Sequence, residues 1–141
     1  MSCQGEVRVP LPVEAAVELF TPEGERRWDP TWDPHYPAAP TDRRAAGTVF
    51  VTHAGERTTT WVIVESGTRA MRYARVVPGR QAGTVSVRLR EDGDGTIAAV
   101  TYESTALDPA AEPELAAFAA GYADEMAAWE RDIAAALAAH A

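Results

Sequence analysis

Residues 113–140 read PELAAFAAGYADEMAAWERDIAAALAAH, and their hydrophobic pattern predicts one long helix that needs an equally long partner. The large apolar side chains recur every three or four residues, so they form a single stripe along the helix. They are Leu115, Phe118, Tyr122, Met126, Trp129, Ile133 and Leu137. Burial of this stripe contributes on the order of 10–20 kcal/mol. Gly121, in the middle of the pattern, predicts a bend or a close contact.

The chain before this helix predicts an antiparallel sheet, because strand-like stretches follow one another with only turns between them. Strands are expected at residues 6–11, 47–55, 57–67, 69–79, 82–95 and 96–107. The EDGDG sequence at 91–95 is a strong hairpin signal. Two short helices, at 14–20 and 23–28, are expected between the first strand and the second. The fold class is therefore α+β.

The composition is that of a folded, acidic protein. Its 141 residues fit one domain, residues 1–141, and 46% of them are hydrophobic. The net charge of −8 argues against binding to nucleic acid or to anionic membranes, since both require a basic face. Cys3 is the one cysteine, so no internal disulfide is expected. No apolar run has the length of a signal peptide or a membrane span, and the expected location is the cytoplasm.

The combination of sheet and helix predicts an internal cavity. A twisted sheet of about six strands curls, whereas one helix is only about 10–12 Å wide and cannot cover the whole concave face. The remaining space is either filled by large side chains or left hollow. Period-2 patterning gives the residues that share a face in three strands. These sets are Thr59, Trp61, Ile63 and Glu65; Met71, Tyr73, Arg75 and Val77; and Val100, Tyr102, Ser104 and Ala106.

The chain resembles the helix-grip domains of the START-like, SRPBCC superfamily, and more narrowly its polyketide-cyclase/dehydrase-like branch of small bacterial proteins. The resemblance lies in VRVPLPVEAAVELFTPEGERRW (7–28), GTVFVT (47–52), TTTWVIVE (58–65), MRYARVVPGRQAGTVSVRLREDGDGT (71–96), VTYESTAL (100–107) and FAAGYADEMAAWERDI (118–133). It implies a curved antiparallel sheet of about six to seven strands wrapped around the C-terminal helix, with a deep pocket between them. Members of this superfamily bind hydrophobic ligands, carry lipids, cyclise or dehydrate polyketides, or assist chaperones.

Candidate ligand-binding residues follow from the pocket that this resemblance implies. They are Trp28, Trp32, Phe50, Trp61, Met71, Tyr73, Arg75, Tyr102, Ser104, Phe118, Tyr122 and Met126. Trp28 and Trp32 lie in RRWDPTWDPHYP (26–37), near the expected pocket mouth, where they either contact a ligand or cap the edge of the core. Arg75 either points into the cavity, to pair with Glu65 or Glu103 or to bind an anionic or carbonyl-bearing ligand, or it lies in solvent.

Two residues are candidates for acid–base chemistry. His35 is accompanied by Asp29 and Asp33 in the same loop, and Glu103 lies in the last strand. The alternative for His35 is a solvated loop histidine. The chain has no HxH or HExxH pattern, so neither a metal nor another cofactor is expected.

The sequence leaves three functions open. The first is binding of a small, largely hydrophobic or aromatic molecule in the internal pocket. The second is an enzyme of the cyclase or dehydratase type, with His35 or Glu103 as the base. The third is a protein-interaction module like the chaperone co-factors of the superfamily, which predicts a filled interior.

Overall fold

The computed structural model describes residues 1–140. Six strands are present, and two short helices and a long loop separate the first strand from the others. The strands are β1 Ser2–Val9, β2 Val49–Ala54, β3 Arg57–Ser66, β4 Ala70–Val77, β5 Gln81–Asp92 and β6 Gly95–Ala106. The helices are α1 Val13–Ala16, α2 Pro22–Glu25, α3 Glu112–Ala120 and α4 Tyr122–Ala139. A 3-10 turn, Val17–Phe20, joins α1 to α2, and a second one, Pro109–Ala111, precedes α3.

The strands form one antiparallel sheet in the order β1-β6-β5-β4-β3-β2. Consecutive strands from β2 to β6 are neighbours, and β1 adds to the far side of β6. The expectation of an α+β helix-grip fold is confirmed, with a curved, open sheet of six strands. Among the described helices, none is both long enough and apolar enough to cross a membrane.

A bulge in β3 corrects the predicted face of one residue. The pairing register with β4 shifts between Ile63 and Glu65. Alternation was expected to keep Glu65 on the face of Trp61, but the shift sets it opposite Arg72, where both side chains are exposed. A bulge adds one residue to one strand, so every later side chain changes face.

The C-terminal helix is divided at Gly121, where the backbone has φ −94° and ψ 3°. The predicted bend is therefore present, and it separates α3 from α4. The apolar stripe faces the sheet, with Leu115, Tyr122, Met126 and Ile133 buried. α4 lies on β1, and Gly5 permits this approach, because a Cβ there would lie only 2.8 Å from Cγ of Met126.

Local hydrogen bonds position α2 and the loop after it. Thr21 caps the helix by accepting a hydrogen bond from the amide of Gly24 at 3.0 Å. The indole of Trp28 donates to the carbonyl of Leu19 at 2.8 Å, and the indole of Trp32 donates to the carbonyl of Pro22 at 2.8 Å. These two bonds fold the loop against the short helices and place Trp32 over the concave face of the sheet.

Candidate functional site

A cavity of about 320 Å³ separates the concave face of the sheet from α2 and from the C-terminal helices. The sheet contributes polar and aromatic side chains, and the helices contribute acidic and apolar ones. The lining residues are Met1, Glu25, Asp29, Trp32, Arg57, Trp61, Arg75, Gln81, Tyr102, Ser104, Glu114, Leu115, Phe118, Glu125 and Trp129. The predicted hollow between sheet and helix is therefore present.

A second, narrower chamber of about 30 Å³ extends the cavity toward the core. The two spaces share the side chains of Glu25, Trp32, Trp61, Tyr102 and Trp129. The remaining walls of the inner chamber are Phe20, Tyr73, Val85 and Val87. Its surface is mostly apolar, so the site becomes drier with depth.

This gradient of polarity is produced by successive rows of paired residues across the sheet. The outer row runs from Trp61 through Arg75 and Gly83 to Ser104. The next row inward is Tyr73, Val85 and Tyr102, and a third row is Met71, Val87 and Val100. Because alternate residues of a strand share a face, these rows line the same concave surface from the polar end to the dry end.

Arg75 is the central polar residue of the sheet wall. Its Nη1 donates to Oε1 of Gln81 at 3.1 Å, and the guanidinium carbon lies 5.2 Å from the ring centroid of Trp61. Desolvation lowers the pKa of Arg75 from its ordinary value, while Tyr102 acts to raise it. The Nε atom is buried and has no hydrogen-bond partner. Arg75 therefore brings a positive charge without a carboxylate partner to the cavity wall.

Ser104 lies two strands from Arg75 in the same row, and its hydroxyl is a second unpaired donor. Its side-chain oxygen is buried without a hydrogen-bond partner. Gly83 sits between the two residues, and a Cβ at Gly83 would overlap the carbonyl of Glu103. Glycine at this position lets β5 and β6 approach each other, and it leaves no side chain between Arg75 and Ser104.

Glu25 is the acidic residue that reaches both chambers. It is the last residue of α2, and its carboxylate has no hydrogen-bond or ion-pair partner within residues 1–140. Desolvation raises the pKa of Glu25 well above its ordinary value of 4.5, and the charge of Asp29 adds to the increase. The carboxyl group is therefore held toward its neutral form, in which it can donate a hydrogen bond.

Tyr102 lines both chambers, as Glu25 does. Desolvation raises its pKa, and the nearby charge of Glu25 adds to this effect. Tyr102 packs against Phe118 and Tyr122 of the helices, with ring centroids 5.0 and 5.9 Å apart. Its hydroxyl makes no hydrogen bond within the part of the chain that the structure describes, so it is a third donor for the cavity.

The aromatic walls are fixed from behind. Trp32 and Trp61 meet edge to face with centroids 5.4 Å apart, and Phe50 stacks on Trp61 at 5.8 Å. The indole of Trp61 also donates to the hydroxyl of Thr52 at 2.9 Å. On the helix side, Trp129 packs on Trp28 at 5.2 Å. The cavity thus has rigid aromatic surfaces on opposite sides.

An ion-pair cluster closes one side of the rim. Glu114 accepts hydrogen bonds from Arg57 at 2.9 Å and from Arg80. The bond from Arg57 is the main reason why the pKa of Glu114 lies below its ordinary value. These two arginines are therefore already paired, which leaves Arg75 as the cavity-lining arginine without a carboxylate partner in residues 1–140.

Six of the residues expected from the sequence lie on the outer cavity, namely Trp32, Trp61, Arg75, Tyr102, Ser104 and Phe118. Tyr73 reaches the inner chamber, where its hydroxyl donates to the carbonyl of Phe20 at 2.5 Å. That hydroxyl is therefore occupied, and Tyr73 presents only the face of its ring.

Five expected residues lie elsewhere. Trp28, Phe50 and Met71 are buried behind the cavity walls, so the alternative interpretation of Trp28 as a cap on the core is the one that fits its position. Tyr122 and Met126 face β1 and line a separate surface groove. The apolar stripe of the helix faces the sheet along its length, and only some of its residues border the cavity.

Neither candidate base is in the cavity. His35 is exposed, lies 3.3 Å from the carboxylate of Asp33 and pairs through its backbone with Val51 of β2. Glu103 is exposed on the outer face of β6, because its neighbours Tyr102 and Ser104 point inward. Neither side chain therefore borders the cavity in which a pocket reaction would take place.

Sequence reasoning missed Glu25 and Trp129 as cavity residues. Trp129 belongs to the predicted apolar stripe, but the stripe pattern does not distinguish the residues that border the cavity from those that pack in the core. One local feature of the sequence bears on the position of Glu25. Thr21 and Pro22 fix the start of α2, and the start of the helix determines the side of the helix on which Glu25 lies. Its contact with the sheet depends on tertiary packing, which this local pattern does not encode.

Residues 1–140 contain no group of three or more histidine, cysteine, aspartate or glutamate side chains arranged to hold a metal ion. No family model and no curated protein matches the sequence. Solved structures do match it. Protein MLL2253 from Mesorhizobium loti superposes with a TM-score of 0.71 at 12% identity, covering 97% of this chain and 96% of that one.

Two further solved structures have the same architecture. CalU16 from Micromonospora echinospora matches with a TM-score of 0.58 at 21% identity, over 97% of this chain and 86% of that one. The Aha1 dimer from Colwellia psychrerythraea matches with a TM-score of 0.57 at 11% identity, over 73% and 75% of the respective chains. At these identities the similarity shows the helix-grip fold.

Proposed function

We propose that this protein binds a small, largely aromatic molecule non-covalently in the cavity between the sheet and the C-terminal helices. The observation that supports this most directly is a cavity of about 320 Å³ with aromatic walls and unpaired donors. This volume falls at the lower end of the range of roughly 300–1,000 Å³ that is typical of small-molecule sites. The resemblance to the SRPBCC superfamily, whose members bind hydrophobic ligands, agrees with the proposal.

Affinity would come mainly from desolvation of the ligand between Trp32, Trp61 and Trp129. Burying about 200 Å² of apolar ligand surface contributes on the order of 5 kcal/mol, from which the loss of ligand freedom is subtracted. The walls are held by packing and hydrogen bonds before a ligand arrives, so little ordering of side chains is needed. The polar groups at one end would set the orientation of the ligand.

The two other functions have less support. A cyclase or dehydratase that uses His35 or Glu103 requires one of these side chains beside the bound substrate, and both are exposed outside the cavity. A protein-interaction module with a filled interior is disfavoured by the cavity itself. Binding in the cavity accounts for the hollow and for its unpaired donors together.

A pair of substitutions on β6 tests the proposal. Ser104 points into the cavity and Thr105, its neighbour, points outward, so Ser104→Phe fills the binding space and Thr105→Phe adds the same ring to the outer face. The probe is the neutral aromatic ketone 2-acetylnaphthalene, followed by quenching of tryptophan fluorescence. We expect Ser104→Phe to weaken binding about tenfold or more, equivalent to about 1.4 kcal/mol, and Thr105→Phe to leave it unchanged. Quenching that is the same in both variants, or absent from the native protein, would contradict the proposal.

A further inference from the structure

The half-buried charge of Arg75 lacks a counter-charge in the described part of the protein. Its contacts are the amide oxygen of Gln81 and the ring of Trp61. Glu65 and Glu103, the partners that the sequence suggested, are both exposed on the outer face of the sheet. Partial desolvation of an unpaired charge is a cost to the folded state, and an anion in the cavity would reduce this cost.

Two donors without partners belong to residues that line the cavity. Arg75 Nε and Ser104 Oγ are both buried without hydrogen-bond partners, and both belong to the outer row of the sheet wall. Ser104 is 4% exposed, so its hydroxyl is shielded from bulk water. A carboxylate has two oxygens that can accept hydrogen bonds from an arginine and a hydroxyl. It is preferred to a neutral acceptor because hydrogen bonds to charged groups are stronger than neutral ones.

The acidic residues of the cavity are on the opposite side. Glu25 and Asp29 come from α2 and the loop that follows it, and Glu114 and Glu125 come from the C-terminal helices. Glu114 is paired with arginines, Glu125 accepts from the indole of Trp129 at 3.2 Å, and Asp29 accepts from Thr31. The donors therefore lie on the sheet wall and the acids on the helical wall, which defines where an anionic group fits.

We infer that the cavity takes a small aromatic acid as its anion, with the carboxylate on Arg75 and Ser104 and the ring among the tryptophans, and that Glu25 is protonated in this complex. The inference rests on the proposed function and specifies its ligand class. Glu25 has no partner that holds it as an anion, and the raised pKa of its carboxyl agrees with this geometry. An ionised Glu25 would repel the bound carboxylate, so binding takes up a proton wherever Glu25 is ionised in the free protein.

Other ionisable groups surround the same space and have to be separated from Glu25 experimentally. They are Asp29 of the following loop, Arg57 of β3, Tyr73 and Arg75 of β4, Tyr102 of β6, Glu114 of α3, Glu125 of α4 and the amino group of Met1. Glu25→Gln keeps the shape of the neutral carboxyl and removes its ionisation. Any pH dependence that remains in this variant comes from the other groups.

The experiment compares two probes of similar shape, 2-naphthoate and 2-acetylnaphthalene, by calorimetry and tryptophan quenching. The variants are Arg75→Met and, on the outer face of the same strand, Arg72→Met as the matched control. We expect Arg75→Met to weaken 2-naphthoate about tenfold or more and to leave the neutral ketone within about threefold. Ser104→Ala adds no volume and should weaken 2-naphthoate about tenfold. Arg72→Met should change neither probe.

The pH series uses the native protein and Glu25→Gln. Above the pKa of Glu25 in the free protein, the affinity of the native protein for 2-naphthoate should fall by up to about tenfold per pH unit, as expected for uptake of one proton. In Glu25→Gln the affinity should stay at the low-pH value. The ketone should show no such fall in either protein.

The outcomes separate this inference from the proposed function. If the native protein binds the ketone but Arg75→Met weakens 2-naphthoate no more than the ketone, the anion site is overturned and the proposed function stands. The same pH dependence in the native protein and in Glu25→Gln overturns the role of Glu25. Failure of both probes to bind the native protein contradicts the proposed function itself.

Discussion

Two glutamates in the short helix α2 experience opposite environments. Glu25 points into the cavity, where desolvation raises its pKa. For Glu23, desolvation also acts to raise the pKa, but hydrogen bonds from Tyr36 and Arg26 outweigh it and the pKa lies below its ordinary value. Two residues of one helix therefore differ because one faces the cavity and the other faces arginines and a tyrosine.

This difference predicts opposite effects on the pH dependence of stability. A raised folded-state pKa gives Glu25 a stabilising contribution that is fully present below the unfolded pKa and is lost as pH rises through the folded pKa. A lowered pKa gives Glu23 a contribution that is present above the unfolded pKa and is lost as pH falls through the folded pKa. Urea unfolding at a series of pH values should therefore show that Glu25→Gln gains stability relative to the native protein as pH rises. The gain in Glu25→Gln should occur above the ordinary pKa of 4.5, up to the raised folded pKa. Glu23→Gln should lose stability relative to the native protein as pH rises from the lowered folded pKa to 4.5. Slopes of the same sign in these two windows would contradict the assignments.

At the scale of single residues, strand alternation predicted which side chains share a face on β4 and β6, but it left open which of the two faces turns inward. Met71, Tyr73 and Arg75 share a face as expected, and so do Tyr102 and Ser104. In the structure this face is the concave one. Alternation failed for Glu65 because the register shift in β3 is not visible as a glycine or proline in the sequence. Glu25 was missed because no strand period applies to a one-turn helix.

At the scale of the elements, two glycines have different roles. Gly83 lies where β5 and β6 come closest, and a Cβ there would overlap the backbone of Glu103. Gly121 lies between α3 and α4, and a Cβ there would meet the carbonyl of Ala117 at an ordinary 3.6 Å. The first glycine is required by a close approach of two strands, whereas the second occupies a conformation that alanine can also adopt.

Alanine substitutions should separate these roles. Gly83→Ala should destabilise the protein by about 2 kcal/mol or more, because the new methyl group forces the strands apart. Gly121→Ala should be neutral or should stabilise the protein by up to about 1 kcal/mol, because alanine is the better helix former. Thermal and urea unfolding measure both effects. A larger loss of stability in Gly121→Ala than in Gly83→Ala would contradict this account of the two sites.

The elements themselves were largely predictable from local chemistry. The hairpin at 91–95 forms as expected, with Asp92 pairing with Gly95 and a positive φ at Gly93. The first strand begins at Ser2, earlier than the expected residue 6, because its start is held by pairing with Glu103 and by the helix that covers it. Pairing across the chain determined that boundary, and no local signal marks it.

At the scale of the whole molecule, the cavity follows from a mismatch between a wide curved sheet and a narrow helix. α4 covers β1 and the adjoining edge, and the short helices cover another part of the concave face. The space between them is lined by aromatic rings and unpaired donors. The sequence predicted that a hollow or a filled core would occupy this space, but only packing in three dimensions decided between the two.

The most direct test is a crystal structure of the protein grown with 2-naphthoate. We expect density for the naphthalene rings between the tryptophans of the sheet and α4. The carboxylate should lie within hydrogen-bonding distance, roughly 2.7–3.2 Å, of Arg75 Nε and Ser104 Oγ. A hollow closed by protein side chains, or a ligand bound on the outer face of the sheet, would contradict the central claim that this fold encloses a binding site.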